Sequence, residues 1–241
     1  MEKVLEIKEI TKLYRNGRGI KNINFEIYKG DIFGFLGPNG AGKTTTMKVI
    51  TNLCKADKGE VKIFGYDVFN QFEKAIQKVG CIIESVDAYE YMSAYDNLRL
   101  ASRFYPGLRK VRIEEVLEIV GLDRYKSEKV GTFSLGMKQR LGLASAIMSD
   151  PELIILDEPA NGLDVEGMVD IRNIIKRLAL EQEKTFLISS HLIHEMEIIC
   201  NRIGIINQGV LIETGFVKEF LDSHSTLENY FISQVKEGRG V

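Results

Sequence analysis

The chain has 241 residues, 44% of them hydrophobic, and a formal net charge of −2. That length and apolar content support a real core in one large domain or two lobes, while the absence of a basic excess argues against a nucleic-acid partner. No apolar run approaches the ~18 residues needed to cross a bilayer, and the opening Met1–Glu6 mixes charges in a way that reads as no secretory signal.

The first segment alternates apolar and polar residues, most cleanly over Ile23-Asn24-Phe25-Glu26-Ile27, and Val61 and Ile63 repeat the pattern. Period 2 predicts strands with one wet face, an antiparallel sheet. Ile32-Phe33-Gly34-Phe35-Leu36 is apolar on both faces and predicts a buried parallel strand. Gly37-Pro38-Asn39-Gly40-Ala41-Gly42-Lys43-Thr44-Thr45 follows and fits G-x-x-x-x-G-K-[ST], and Met47 and Ile50 then suit a helix start. Strand, glycine loop and helix N-terminus in that order make an anion cradle. Backbone N–H groups and the helix dipole face the ligand, Lys43 reaches the β/γ-phosphates, and Thr44 offers a hydroxyl to a phosphate-bound Mg2+. These residues point to a nucleoside triphosphate.

Val79–Ile83, Leu153–Leu156 and Thr185–Ile188 are further short runs, apolar on both faces, and extend the parallel sheet. Residues 88–150 carry helical spacing and no strand signal. There Ile113, Val116, Leu117 and Val120 follow i, i+3, i+4, i+7 and stop at Gly121. Phe133-Ser134-Leu135-Gly136-Met137-Lys138-Gln139-Arg140 precedes an apolar helix from Leu141 to Met148. Ser134 there is either part of a second anion-binding tip or a plain N-cap. The run from Leu153 ends in Asp157-Glu158, at the strand end that faces the ligand crevice of an open parallel sheet. Asp157 is placed to hold Mg2+, and Glu158 to orient or deprotonate a water attacking the γ-phosphate. His191 and His194 with Glu195 lack a third partner and do not make a metal site. Ile203–Asn207 and Val210–Glu213 flank Gln208-Gly209 as a hairpin, and Leu227, Tyr230 and Phe231 line one face of a last helix. Cys54, Cys81 and Cys200 are isolated among apolar residues and are expected to be buried free thiols in a reducing, cytosolic compartment.

Taken together, these pieces resemble the nucleotide-binding subunit of an ATP-binding cassette (ABC) transporter across nearly the whole chain. The matching order is Tyr14, the Walker A loop (37–45), a Q-loop-like turn (83–85), the signature (133–140), Walker B (153–158), the D-loop Asn161-Gly162-Leu163-Asp164, and His191. The resemblance implies an α/β fold, a RecA-like P-loop NTPase core with a parallel central sheet, an antiparallel β subdomain and an inserted helical subdomain. The divisions are 1–87, 88–150 and 151–241. It implies ATP hydrolysis with Mg2+, Tyr14 stacking on adenine, and Thr44, Asp157 and Glu84 serving the metal. Glu158 acts on the attacking water and His191 touches the γ-phosphate. It also implies a head-to-tail dimer of two identical chains or of paralogues, in which Ser134, Gly136 and Met137 of one chain contact ATP held by the other and Asp164 belongs to the D-loop. The working partner is a membrane permease, with the chain peripheral on the inner face of the membrane. Two positions depart from the pattern: Glu84 stands where Gln is usual, and Met137 where the signature has Gln. With these departures the chain resembles the subfamily exporting peptide antibiotics such as bacitracin and lantibiotics. The competing reading is a soluble ABC ATPase acting on a macromolecular assembly, but the chain has neither the second cassette nor the long coiled coil of those proteins.

Overall fold

The computed structural model describes residues 2–223 and 226–237. Its first half runs β1 (Lys3–Leu13), β2 (Gly19–Tyr28), β3 (Ile32–Leu36), α1 (Lys43–Ile50), β4 (Lys58–Ile63), β5 (Tyr66–Asp67), α2 (Phe72–Ile76) and β6 (Val79–Ile82). Three helices follow, α3 (Ala94–Ala101), α4 (Arg112–Ile119) and α5 (Leu135–Ala146). The second half runs β7 (Leu153–Asp157), α6 (Val165–Gln182), β8 (Thr185–Ser190), α7 (Ile193–Ile199), β9 (Arg202–Asn207), β10 (Val210–Phe216), α8 (Val217–Ser223) and α9 (Leu227–Glu237).

Two sheets result. The alternating strands form an antiparallel sheet in the order β2-β1-β4-β5, and the apolar ones form the order β10-β9-β3-β8-β7-β6. In the second sheet β9, β3, β8, β7 and β6 pair in parallel and β10 returns antiparallel on β9. The Gln208-Gly209 hairpin is therefore an extension of the central sheet. Tight turning there suits Gly209, whose φ is +79°.

One core lies between the two sheets and α1. Phe25 of the antiparallel sheet stacks on Phe33 and Phe35 of β3 at 5.2 and 5.3 Å, and Met47 and Ile50 of α1 are sealed beneath. Such ring pairs add ~0.5–1.5 kcal/mol each beyond area burial. The other core lies on the opposite face of the central sheet, where α3 to α9 contribute residues such as Leu98, Ile113, Leu141, Ile171 and Tyr230. The four positions predicted from spacing, three in α4 and Val120 at its C-cap, are all buried, and Gly121 ends the turn at φ +67°. The apolar stretch after the signature is helical only to Ala146, two residues short of Met148.

The cysteines correct one expectation. Cys200 is buried, Cys54 is half-buried, and Cys81 is exposed. The reason is that β6 is the sheet's edge strand, so a run that looks apolar on both faces still has an uncovered side.

Candidate nucleotide site

Parallel register brings three strand ends together. Leu36 of β3 sits beside Ser190 of β8, and Ser189 sits beside Asp157 of β7. The glycine loop, Asp157-Glu158 and His191 all leave from these C-terminal ends, at one edge of the sheet. Gly42 caps α1 with φ +111° and no side-chain cap, and Gly40 has φ +79°. The first N–H groups of α1 thus have no side-chain partner from the cap residue, the arrangement that suits an oxyanion.

A groove of about 320 Å³ opens here, lined by Tyr14, Gly40, Gly42, Lys43, Thr44 and Glu158 among others. Asn39 and Thr45 also reach it, while Ala41 is buried beneath. Lys43 is 5% exposed. Its Nζ donates to Gly37 O at 2.7 Å and Pro38 O at 3.2 Å and pairs with Glu158 Oε1 at 3.0 Å. The other Glu158 oxygen accepts from His191 Nδ1–H at 2.8 Å and from His191 N–H at 3.3 Å. A charge this enclosed needs such partners. Ser189 Oγ–H donates to Asp157 Oδ1 and accepts from Glu158 N–H at 3.0 Å, so a buried hydroxyl holds both acids in register.

Thr44 and Asp157 supply hard oxygen donors. No group of three or more His, Cys, Asp or Glu able to hold a metal occurs among the described residues. Few protein oxygens beside a phosphate cradle are what Mg2+ accepts, because it keeps waters and takes ligands from substrate phosphates. Glu84 does not line the groove; it is held by Lys48 Nζ at 2.6 Å, on the helix α1 that the glycine loop opens.

A second groove, of about 400 Å³, is lined by Ser134, Gly136, Met137, Arg140, Asp164 and Gly167 among others. It shares no lining residue with the first. Ser134 caps α5, accepting from Met137 N–H at 3.2 Å, and Asp164 caps α6, accepting from Gly167 N–H at 2.9 Å. The Met137 side chain packs on the helical core. The structure therefore gathers Tyr14, the glycine loop, Asp157, Glu158 and His191 at one place, and the signature and D-loop at another.

A family model described as ABC transporter matches residues 20–161. The chain belongs to the ABC transporter ATP-binding family. It is 42% identical over 213 residues to the bacitracin transport ATP-binding protein BcrA of Bacillus licheniformis, covering 88% of this chain and 70% of that one. It is 38% identical over 232 residues to the lantibiotic transport ATP-binding protein SrtF of Streptococcus pyogenes, covering 96% and 97%. Among solved structures, the dimeric post-hydrolysis state of the ATP-binding cassette MJ0796 bound to ADP and Pi superposes with a TM-score of 0.79. That pair is 26% identical, covering 88% of this chain and 98% of that one. The chain is accordingly an ABC ATPase that binds ATP.

Two residues of this ABC cassette escaped the sequence reading. Ser189 was a polar end to an apolar run, and its significance depends on β7–β8 register. Asp57 accepts from Leu13 N–H at 2.7 Å and Lys12 Nζ at 3.0 Å. It anchors the strand end that presents Tyr14.

Proposed function

We propose that this cassette powers a separate membrane permease exporting a peptide antibiotic or a similar amphipathic compound, working as a head-to-tail dimer that sandwiches two ATP molecules. The observation that carries the dimer is the separation of the two grooves, with no lining residue in common. A site needing both the glycine loop and the signature is completed by a second chain.

In this reading the triphosphate takes over Lys43 and so frees Glu158 from its 3.0 Å contact. Tyr14 stacks on adenine. Thr44, Asp157 and Glu84 would hold Mg2+, which neutralises the phosphate charge when bound. Glu158 orients the water that attacks the γ-phosphorus, and His191 keeps that carboxylate aimed while facing the phosphate. From the partner chain, Ser134 offers its O–H, since its cap uses the oxygen only as acceptor. Gly136 and Met137 offer backbone, and Asp164 holds the start of α6. Loss of the bridging charge on hydrolysis reopens the dimer.

Residues 88–150 serve as the helical subdomain in this scheme. A groove of about 200 Å³ there, lined by Val86, Tyr89, Leu98, Phe104 and Leu141 among others, offers the permease an apolar seat, and Phe104 is 82% exposed. No helix among the described residues is long and apolar enough to cross a membrane, so attachment to the inner face runs through the permease. The names of BcrA and SrtF support the cargo class. Glu158→Gln tests the sandwich: light scattering in MgATP should show a stable dimer. Monomer alone under those conditions would refute it.

A further inference from the structure

Glu84 is held at an unusual point of the backbone. Its φ is +70°, and Ser85 N–H donates across it to Ile83 O at 3.1 Å. A three-residue turn centred on positive φ is the rarer, strained kind, so the surrounding contacts must hold it. One of those contacts is the ion pair with Lys48 at 2.6 Å. Lys48 lies four residues after Thr44 on α1, which puts the two side chains on one face of that helix. The lysine is the better-anchored partner, 27% exposed against 60% for the glutamate. An exposed ion pair contributes little to stability by itself. Its place is what matters, because it ties the nucleotide-binding helix to the turn leading into the helical lobe.

We infer that Lys48 is a positioning residue for Glu84: it carries the charge that lets a carboxylate occupy this position. With no nucleotide bound it draws Glu84 against α1 and cancels its charge beside the phosphate cradle. The carboxylate reaches the metal position by leaving Lys48. This rests on the MgATP reading above and adds to it a counter-ion within the chain.

Two opposite effects follow from Lys48→Met, which keeps the apolar stem and removes the charge. Uncompensated, Glu84 repels the phosphates, so ATP binding in EDTA should weaken by about three- to tenfold. Glu84 is also released toward the metal, so half-saturation by Mg2+ at fixed ATP should fall by about the same factor. Lys48→Arg should restore both values, and in a Glu84→Gln background Lys48→Met should move neither. The measurement is a titration with fluorescent trinitrophenyl-ATP, in EDTA and then at graded Mg2+, on five chains: Lys48→Met, Lys48→Arg, Glu84→Gln, the Lys48→Met/Glu84→Gln double variant and the parent. Equal shifts with and without Glu84 would show Lys48 acting on the phosphates directly and overturn the inference, as would no shift at all. A parent chain that bound no nucleotide would overturn the MgATP reading with it.

Discussion

Ser189→Ala removes one hydroxyl from the centre of the site and tests how the acids are held. Ser189 is fully buried, and Asp157, which accepts its proton, is 5% exposed. A hydrogen bond to a charged group contributes ~1.5–3 kcal/mol, and little water can replace it at that depth. The second loss is smaller, because Glu158 N–H keeps the Ser189 backbone carbonyl at 3.1 Å. The net cost is therefore about 2 kcal/mol. For a chain of this size each kcal/mol lowers Tm by ~2–4 °C, which gives a fall of about 4–8 °C. Calorimetry in EDTA reads this without nucleotide, and urea unfolding should show a lower midpoint at unchanged slope. The Mg2+ requirement for ATP binding should rise as Asp157 loses its orientation. A Tm within about 1 °C of the parent would refute the claim that Ser189 fixes the Walker B acids.

Gly142→Ala sets helix propensity against packing. The exchange gains ~1 kcal/mol in a helix, but the new methyl would lie 2.4 Å from Val86 Cγ2, and overpacking costs ~1–3 kcal/mol. The expected result is a lower Tm that Val86→Ala restores; a raised Tm would contradict the packing. Asp57 gives a pH test. Its carboxyl is held below its ordinary 3.8 first by the Leu13 N–H and then by Lys12. A lowered folded-state pKa means the tie is intact above that ordinary value and is lost as pH falls through the lowered one. The Leu13 amide resonance should titrate with a midpoint below 3.8, and Asp57→Asn should weaken ATP binding a few-fold through Tyr14. A midpoint at or above 3.8 would count against the tie.

What could be read from the sequence was contiguous. The glycine loop, the apolar strands and the spacing of Ile113 to Val120 each lie within a few residues, so periodicity and motif reach them directly. What could not be read depends on pairing. Ser189 matters because β8 places it against Asp157, and Lys48 because a turn 36 residues later brings Glu84 to it. Cys81 misled for the same reason, since a local run does not say which strand ends a sheet. The departures Glu84 and Met137 were visible as letters, but their partners were not: the half-buried Met137 side chain packs partly on the helical core while it lines the signature groove, and its N–H donates to Ser134.

The most direct test of the transport reading is to purify this chain by affinity from detergent-solubilised native membranes and identify what co-elutes by mass spectrometry. The account predicts a polytopic membrane protein at near-stoichiometric yield. A soluble assembly in its place, with the chain absent from the membrane fraction, would leave the ATPase intact and contradict the permease.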